Sequence, residues 1–144
     1  MTVEMTALRL VRSEDDVDFT ALGRLRRGMG DLFDFVQLTA GSHGCSAAMY
    51  QLLLAMKTTG RHGGTDIGML ATTLAVRHPS AAEMVRKAEA LGFIKSSVDL
   101  DDRRRVLVEL TQQGEDVLAA IAESHQGELR RVRAGFIAAL NALG

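Results

Sequence analysis

The segment Asp99–Gly114, DLDDRRRVLVELTQQG, constrains the fold of this chain more than any other. Val106, Val108 and Leu110 alternate with Leu107 and Glu109, the period of two that belongs to a strand. Phe93–Val98, FIKSSV, supplies an antiparallel partner, and the two runs make a hairpin followed directly by a helix. The turn between them carries Asp99, Asp101, Asp102, Arg103, Arg104 and Arg105 and is too charged to be buried. Its carboxylates can brace the loop backbone through charge-assisted hydrogen bonds, which holds cations out at a loop tip. A plain solvated turn would carry the same charges, so what precedes the hairpin has to decide between them.

Upstream, Asp66–Ala75 places Ile67, Leu70, Ala71 and Leu74 at helical spacing, with Thr65 or Asp66 available as the N-terminal cap. After Val76, Arg77 and His78, a second helical pattern runs from Pro79 to Leu91, with Ala81, Met84, Val85, Ala88 and Leu91 on one apolar face. Pro79 suits a first helical position, where its missing N–H has no intrahelical partner, and Gly92 suits the left-handed residue past the end. Helix, tight turn, helix, hairpin is the order of a winged helix-turn-helix, whose second helix presents its non-core face to base edges in the major groove. The expected fold is therefore mainly α with a small β-hairpin wing. Ser80, Ala81, Glu83 and Lys87 are the groove-facing candidates, with Arg77, His78 and Arg86 nearer the phosphates or the helix ends. Arg104 is the first candidate for a minor-groove contact from the wing, ahead of Arg103 and Arg105, because a narrow groove's negative potential attracts guanidinium groups. Asp102 is placed to orient one of them.

These residues carry a resemblance. LATTLAV, SAAEMVRKAEALGFI and DLDDRRRVLVELTQQGEDVL together resemble the MarR family of bacterial transcriptional regulators, marked by an Asp-Arg-Arg wing leading into a Leu-Thr-x-x-Gly helix start. Here that signature falls on Asp102, Arg103, Arg104, Leu110, Thr111 and Gly114, and the likeness extends from about Ala47 to the C-terminus. It implies a homodimer on a pseudo-palindromic operator in double-stranded DNA, released when a small, often phenolic or anionic, effector binds or a cysteine is oxidised. It also implies an effector pocket between the dimer helices and the winged module, lined from Phe19 to Phe33 and from Tyr50 to Met56. Three positions depart from the pattern: Arg77 where a Ser cap is usual, Glu83 where a basic or small polar residue is common, and Ser96 where an arginine is frequent. A carboxylate at position 83 is repelled by phosphates yet can accept from the cytosine amino group.

The termini suggest how two copies are held. Residues 18–38 carry Phe19, Leu22, Leu25, Met29, Leu32, Phe33 and Val36 at steps of three and four, an apolar stripe that needs a partner helix. Gly41–Gly44 breaks it, Ser46 can cap a helix over Ala47–Thr58 with Leu52, Leu53 and Met56 inward, and Arg61–Gly64 is a Gly-rich connection. A long last helix repeats Val117, Leu118, Ile121, His125, Leu129, Val132, Phe136, Leu140 and Leu143. One small domain cannot cover both stripes, and the economical partner is the same pair from a second chain, with Phe19, Leu22, Leu129, Val132, Phe136 and Leu140 at the interface. Two recognition helices must sit about 34–36 Å apart to enter successive major grooves, and the helical dimer would set that distance. The whole chain, 1–144, is thus expected to be one domain, with dimerisation helices at about 17–40 and 112–144 around a winged module at about 46–111.

Other functions are less well served. A net charge of −1 excludes indiscriminate nucleic-acid binding, but Arg77–Arg105 holds seven Lys/Arg against five Asp/Glu, a local net of +2. That is modest, so affinity should depend on two modules acting together. No apolar run approaches the roughly 20 residues of a membrane span, and no signal-peptide pattern opens the chain, which favours the cytoplasm. There is no GxSxG, GxxxxGK[ST] or GxGxxG, so an enzyme is not expected, and neither is a cofactor. His43, His62, His78 and His125 lack the paired spacing of a metal site. Cys45, the one cysteine, precedes a helix whose dipole could favour the thiolate, which leaves oxidation sensing as an alternative to a small residue lining a helix start. A second alternative is a winged helix that no longer binds DNA and acts as a protein-interaction or dimerisation module, a reading motivated by Glu83 and the near-neutral charge.

Overall fold

The computed structural model describes residues 17–60 and 64–144; most of the Gly-rich connection, with His62, lies outside them. Helix α1, Phe19–Ser42, starts where the Asp18 carboxylate accepts from the Ala21 N–H at 2.9 Å. Helix α2, Ala47–Thr59, is capped as its sequence predicts, with Ser46 Oγ accepting from the Met49 N–H at 3.1 Å. Helices α3, Ile67–Leu74, and α4, His78–Ala90, follow, then strands β2, Ile94–Val98, and β3, Val106–Leu110, and finally α5, Gln112–Asn141. A two-residue strand β1, Thr65–Asp66, precedes α3 and pairs antiparallel with β3, so the expected hairpin is the larger part of a three-stranded sheet of order β1-β3-β2. Two residues are too few to leave a periodic signal, which is why the sequence does not announce this strand. The hairpin register pairs Ile94 with Leu110, Ser96 with Val108 and Val98 with Val106.

The described chain falls into two compact units, 35–126 and 17–34 with Gly127–Gly144. The inner ends of α1 and α5 thus fall in the larger unit. Within the larger unit, Leu52 and Leu53 from α2, Leu70 from α3, Val108 from β3 and Ile121 from α5 are fully buried. Tyr50 and His125 share a hydrogen bond of 2.9 Å and meet edge to face, which links α2 to α5 through partly buried polar groups. Within the smaller unit α1 and α5 approach at Gly28, where a Cβ would lie 3.0 Å from the Phe136 ring.

The turn between α3 and α4 passes through Ala75, a left-handed residue at φ 54°, whose N–H returns to Ala71 and Thr72 carbonyls. Helix α4 starts one residue before the expected Pro79 and, with Arg77 before it, has no side-chain cap. Its inward face is Ala81, Val85 and Ala88. Ala81, expected to face the groove, is 0% exposed: it lies four and seven residues before Val85 and Ala88, on the same stripe. Leu91, expected in that stripe, is exposed instead because the helix has already ended there.

The Leu-Thr-x-x-Gly segment is a joint between the sheet and α5. Thr111 donates its hydroxyl to the Gly92 carbonyl at 2.5 Å and accepts from the Gly114 N–H at 3.0 Å, while its own N–H binds the Phe93 carbonyl. Gly114 lies so close to that carbonyl that a Cβ would sit 2.1 Å from its oxygen. The motif fixes where the last helix leaves the wing.

Candidate nucleic-acid interface

All the outward candidates of α4 are exposed: Arg77 before it, then His78, Ser80, Glu83, Arg86 and Lys87. Glu83 forms an ion pair with Arg86 one turn on, so the middle of this face carries a neutralised pair rather than two independent charges. Lys87 and Arg77 have no ion-pair partner among the described residues.

The wing divides its three arginines. Arg103 is exposed and forms no ion pair with a described residue. The Arg104 side chain is 91% exposed, and one oxygen of Asp102 accepts from both its backbone N–H at 3.1 Å and its Nε at 3.2 Å. Asp102 therefore orients Arg104. Arg105 turns back into the protein, donating from Nη2 to Asp66 Oδ2 at 2.7 Å with Nη1 3.5 Å from Asp99 Oδ2. Asp66 is held below the ordinary carboxylate range, first by the Met69 N–H it accepts while capping α3 and then by Arg105. The sequence singles out Asp66 only as a cap; its pairing with a residue 39 positions away has no local signal. Likewise Ser96 does not stand free: its N–H and hydroxyl both donate to Glu89 of α4, at 3.1 and 2.9 Å, which ties the free edge of β2 to that helix.

These elements meet at one place. A cleft of about 370 Å³ is bordered by Ile67 and Gly68 at the start of α3, His78 at the start of α4, and Arg104 and Arg105 of the wing. The first turn of α4 and the foremost wing arginine thus share one opening on the surface.

Other candidates fare differently. Cys45 is buried, its thiol donating to the Ser46 carbonyl at 3.3 Å, and burial raises its pKa, so the activated thiolate expected from the helix dipole is not what this environment favours. Among the described residues no group of three metal-ligating side chains converges, and no helix is long and apolar enough to cross a membrane. In the smaller unit Phe19 is 68% and Leu140 56% exposed, Leu22 and Leu129 are exposed too, and Val132 and Phe136 are half-buried within the chain. A cleft of about 330 Å³ there has Arg24 and Arg131 at its sides and Leu25, Val132 and Phe136 among its walls. Of residues 50–56, Leu52, Leu53 and Met56 are buried as expected, and Tyr50 and Ala55 are buried with them.

No protein-family model matches the sequence. No curated protein matches it significantly. Solved structures do match. MarR is similar at 24% identity and a TM-score of 0.64, over 85% of this chain and 81% of MarR. MepR of S. aureus, in a complex with DNA, is 16% identical with a TM-score of 0.70, over 83% of this chain and 85% of MepR. CouR from Rhodococcus jostii RHA1, bound to p-coumaroyl-CoA, is 20% identical with a TM-score of 0.64, over 74% of this chain and 73% of CouR. At these identities the likeness is one of architecture: the chain has the winged-helix fold of the MarR-family regulators.

Proposed function

We propose that this chain, with that fold as its frame, is a sequence-specific DNA-binding transcription regulator. It would act as a homodimeric repressor that releases a pseudo-palindromic operator when a small molecule binds, and it would work in the cytoplasm without catalysing a reaction. The observation that carries the reading is the cleft where His78 of α4 and Arg104 of the wing stand together. A helix start aimed at base edges beside an exposed, pre-oriented guanidinium is an arrangement suited to one major groove and the adjoining minor groove. Ser80, Glu83, Arg86 and Lys87 continue the helix face, with Arg77 before it and Arg103 beside Arg104. MepR, of the same fold, has been solved with DNA, and this supports duplex DNA as the partner.

The exposed large apolar residues of the smaller unit, among them Phe19, Leu22, Leu129 and Leu140, support a second copy as their cover. A small-molecule effector is supported by CouR, solved with p-coumaroyl-CoA, and by the cleft walled by Leu25, Val132 and Phe136, where Arg131 is already paired with Glu128 and Arg24 has no ion-pair partner among the described residues. Fluorescence anisotropy with duplexes from the upstream region of its own gene, titrated at several salt concentrations against scrambled DNA, tests the reading. Tight binding of one duplex by two chains with a steep salt slope is the expected result. Equal, weak binding of every duplex in a genome-wide selection would overturn it in favour of a protein-interaction module, for which the Glu83–Arg86 neutralisation is the one favouring observation.

A further inference from the structure

We propose that Arg105 is a positioning residue rather than a DNA contact: paired with Asp66, it locks the wing to the start of α3 and leaves Arg103 and Arg104 to meet the phosphates. Asp66 joins three elements at once. Its backbone pairs with Leu107 of β3, its Oδ1 accepts from the Met69 N–H at 2.7 Å at the start of α3, and its Oδ2 accepts from Arg105 Nη2 at 2.7 Å. Arg105 in turn closes the wing loop. Its N–H donates to the Asp102 carbonyl at 2.9 Å, its carbonyl accepts from the Asp99 N–H at 3.0 Å, and Nη1 lies 3.5 Å from the Asp99 carboxylate. The planar guanidinium turns a different nitrogen to each carboxylate, Nη2 to Asp66 and Nη1 to Asp99, from one fixed fork.

The electrostatic consequence separates the three arginines. A guanidinium already matched by two carboxylates has little attraction left for a phosphate, and drawing it away would leave Asp66 and Asp99 unmatched beside a polyanion. Arg104 is held only by Asp102 of its own loop. β1 is two residues long, so the ladder alone gives the wing little purchase on α3, and the Asp66–Arg105 pair adds the side-chain link. The division of labour among the arginines rests on the DNA-binding reading above; the brace itself does not.

The test uses the full chain and the variants Asp66→Asn, Arg105→Ala and their combination, with Arg104→Ala for contrast. Asparagine keeps an oxygen for the α3 cap while removing the charge, so a single cooperative thermal transition in each variant checks that the fold is intact. Without DNA, amide hydrogen exchange at Asp99 and Arg105 should accelerate in both single variants, and no further in the double. Unchanged exchange overturns the brace whatever the protein does with DNA. With DNA, both single variants should weaken binding by roughly three- to tenfold with the salt slope of the unaltered protein, whereas Arg104→Ala should flatten that slope by about 0.9. Tighter binding by Asp66→Asn, or a flattened slope in Arg105→Ala, would make Arg105 a phosphate contact and overturn the proposal. If the unaltered protein shows no salt-dependent binding to any duplex, the DNA-binding reading and the division of labour fail together, and the exchange data alone decide the brace.

Discussion

Gly114 has no room for a side chain, because a Cβ would stand 2.1 Å from a backbone oxygen that cannot move without disturbing Phe93. Gly114→Ala should cost about 1–3 kcal/mol of stability, read by denaturant unfolding. A loss of DNA affinity without a loss of stability would mean that the glycine serves the interface instead. At Arg104 the reverse is expected: Arg104→Ala should leave stability unchanged and lower affinity for many sequences alike, with a salt slope flatter by about 0.9. Asp66 brings a pH dependence. Its folded-state pKa is depressed, so its contribution is fully present above the ordinary carboxylate value of 3.8 and is lost as pH falls through the lower folded value. The stability difference between the unaltered protein and Asp66→Asn should be constant near neutrality and shrink only below about pH 4. A difference that varied between pH 6 and 8 would point to another group. Cys45, buried with a raised pKa, should react with a thiol reagent only as fast as the protein opens, accelerating with denaturant. Rapid labelling of the native protein with loss of DNA binding would restore the oxidation-sensing alternative.

At the scale of elements, side chains tie the sheet and its wing loop to both helices of the helix-turn-helix, α3 and α4. Glu89 of α4 holds Ser96 on the free edge of β2, and Asp66 at the start of α3 holds Arg105 at the end of the wing loop. Glu89 and Ser96 stand apart from the cleft of the proposed interface, whereas Asp66 and Arg105 border it beside His78 and Arg104. The inward phase of α4 is fixed by Ala81, Val85 and Ala88, which leaves Ser80, Glu83, Arg86 and Lys87 outside on geometric grounds alone. Glu83 within that stripe neutralises Arg86, so the cations without an ion-pair partner among the described residues are Arg77 and Lys87 on the helix side and Arg103 on the wing.

For the whole molecule, affinity is expected to come from two such modules held together, because each carries few free cations. Phe19, Leu22 and Leu140 are exposed on the smaller unit, and charges placed there should prevent a second copy from covering them. A Leu22→Asp, Leu140→Asp chain is expected to run as a monomer in sedimentation and to lose roughly 10²-fold or more in operator affinity, as the second module ceases to act at high effective concentration. A variant that stayed dimeric would place the interface elsewhere.

The sequence by itself determined the order of the elements, because period, caps and breakers are local: Ser46 and Asp66 cap the helices they precede, Gly92 ends α4 with φ at 80°, and the alternation over 106–110 is a strand. It also placed the charged turn at a loop tip, since six ionisable residues in seven cannot be buried together. The tertiary structure decided what each of those charges is for. Arg103, Arg104 and Arg105 are alike as letters and all exposed, and only the approach of Asp66 from 39 residues upstream engages Arg105, whereas Arg104 is held within its own loop. Ala81 shows the same limit at the core: the sequence offers it both to the apolar stripe and to the groove face, and packing decides for the stripe. The third strand, which pairs Thr65 and Asp66 with Val108 and Leu107, is likewise a long-range fact, set by which segments fold back on one another rather than by any residue's own preference.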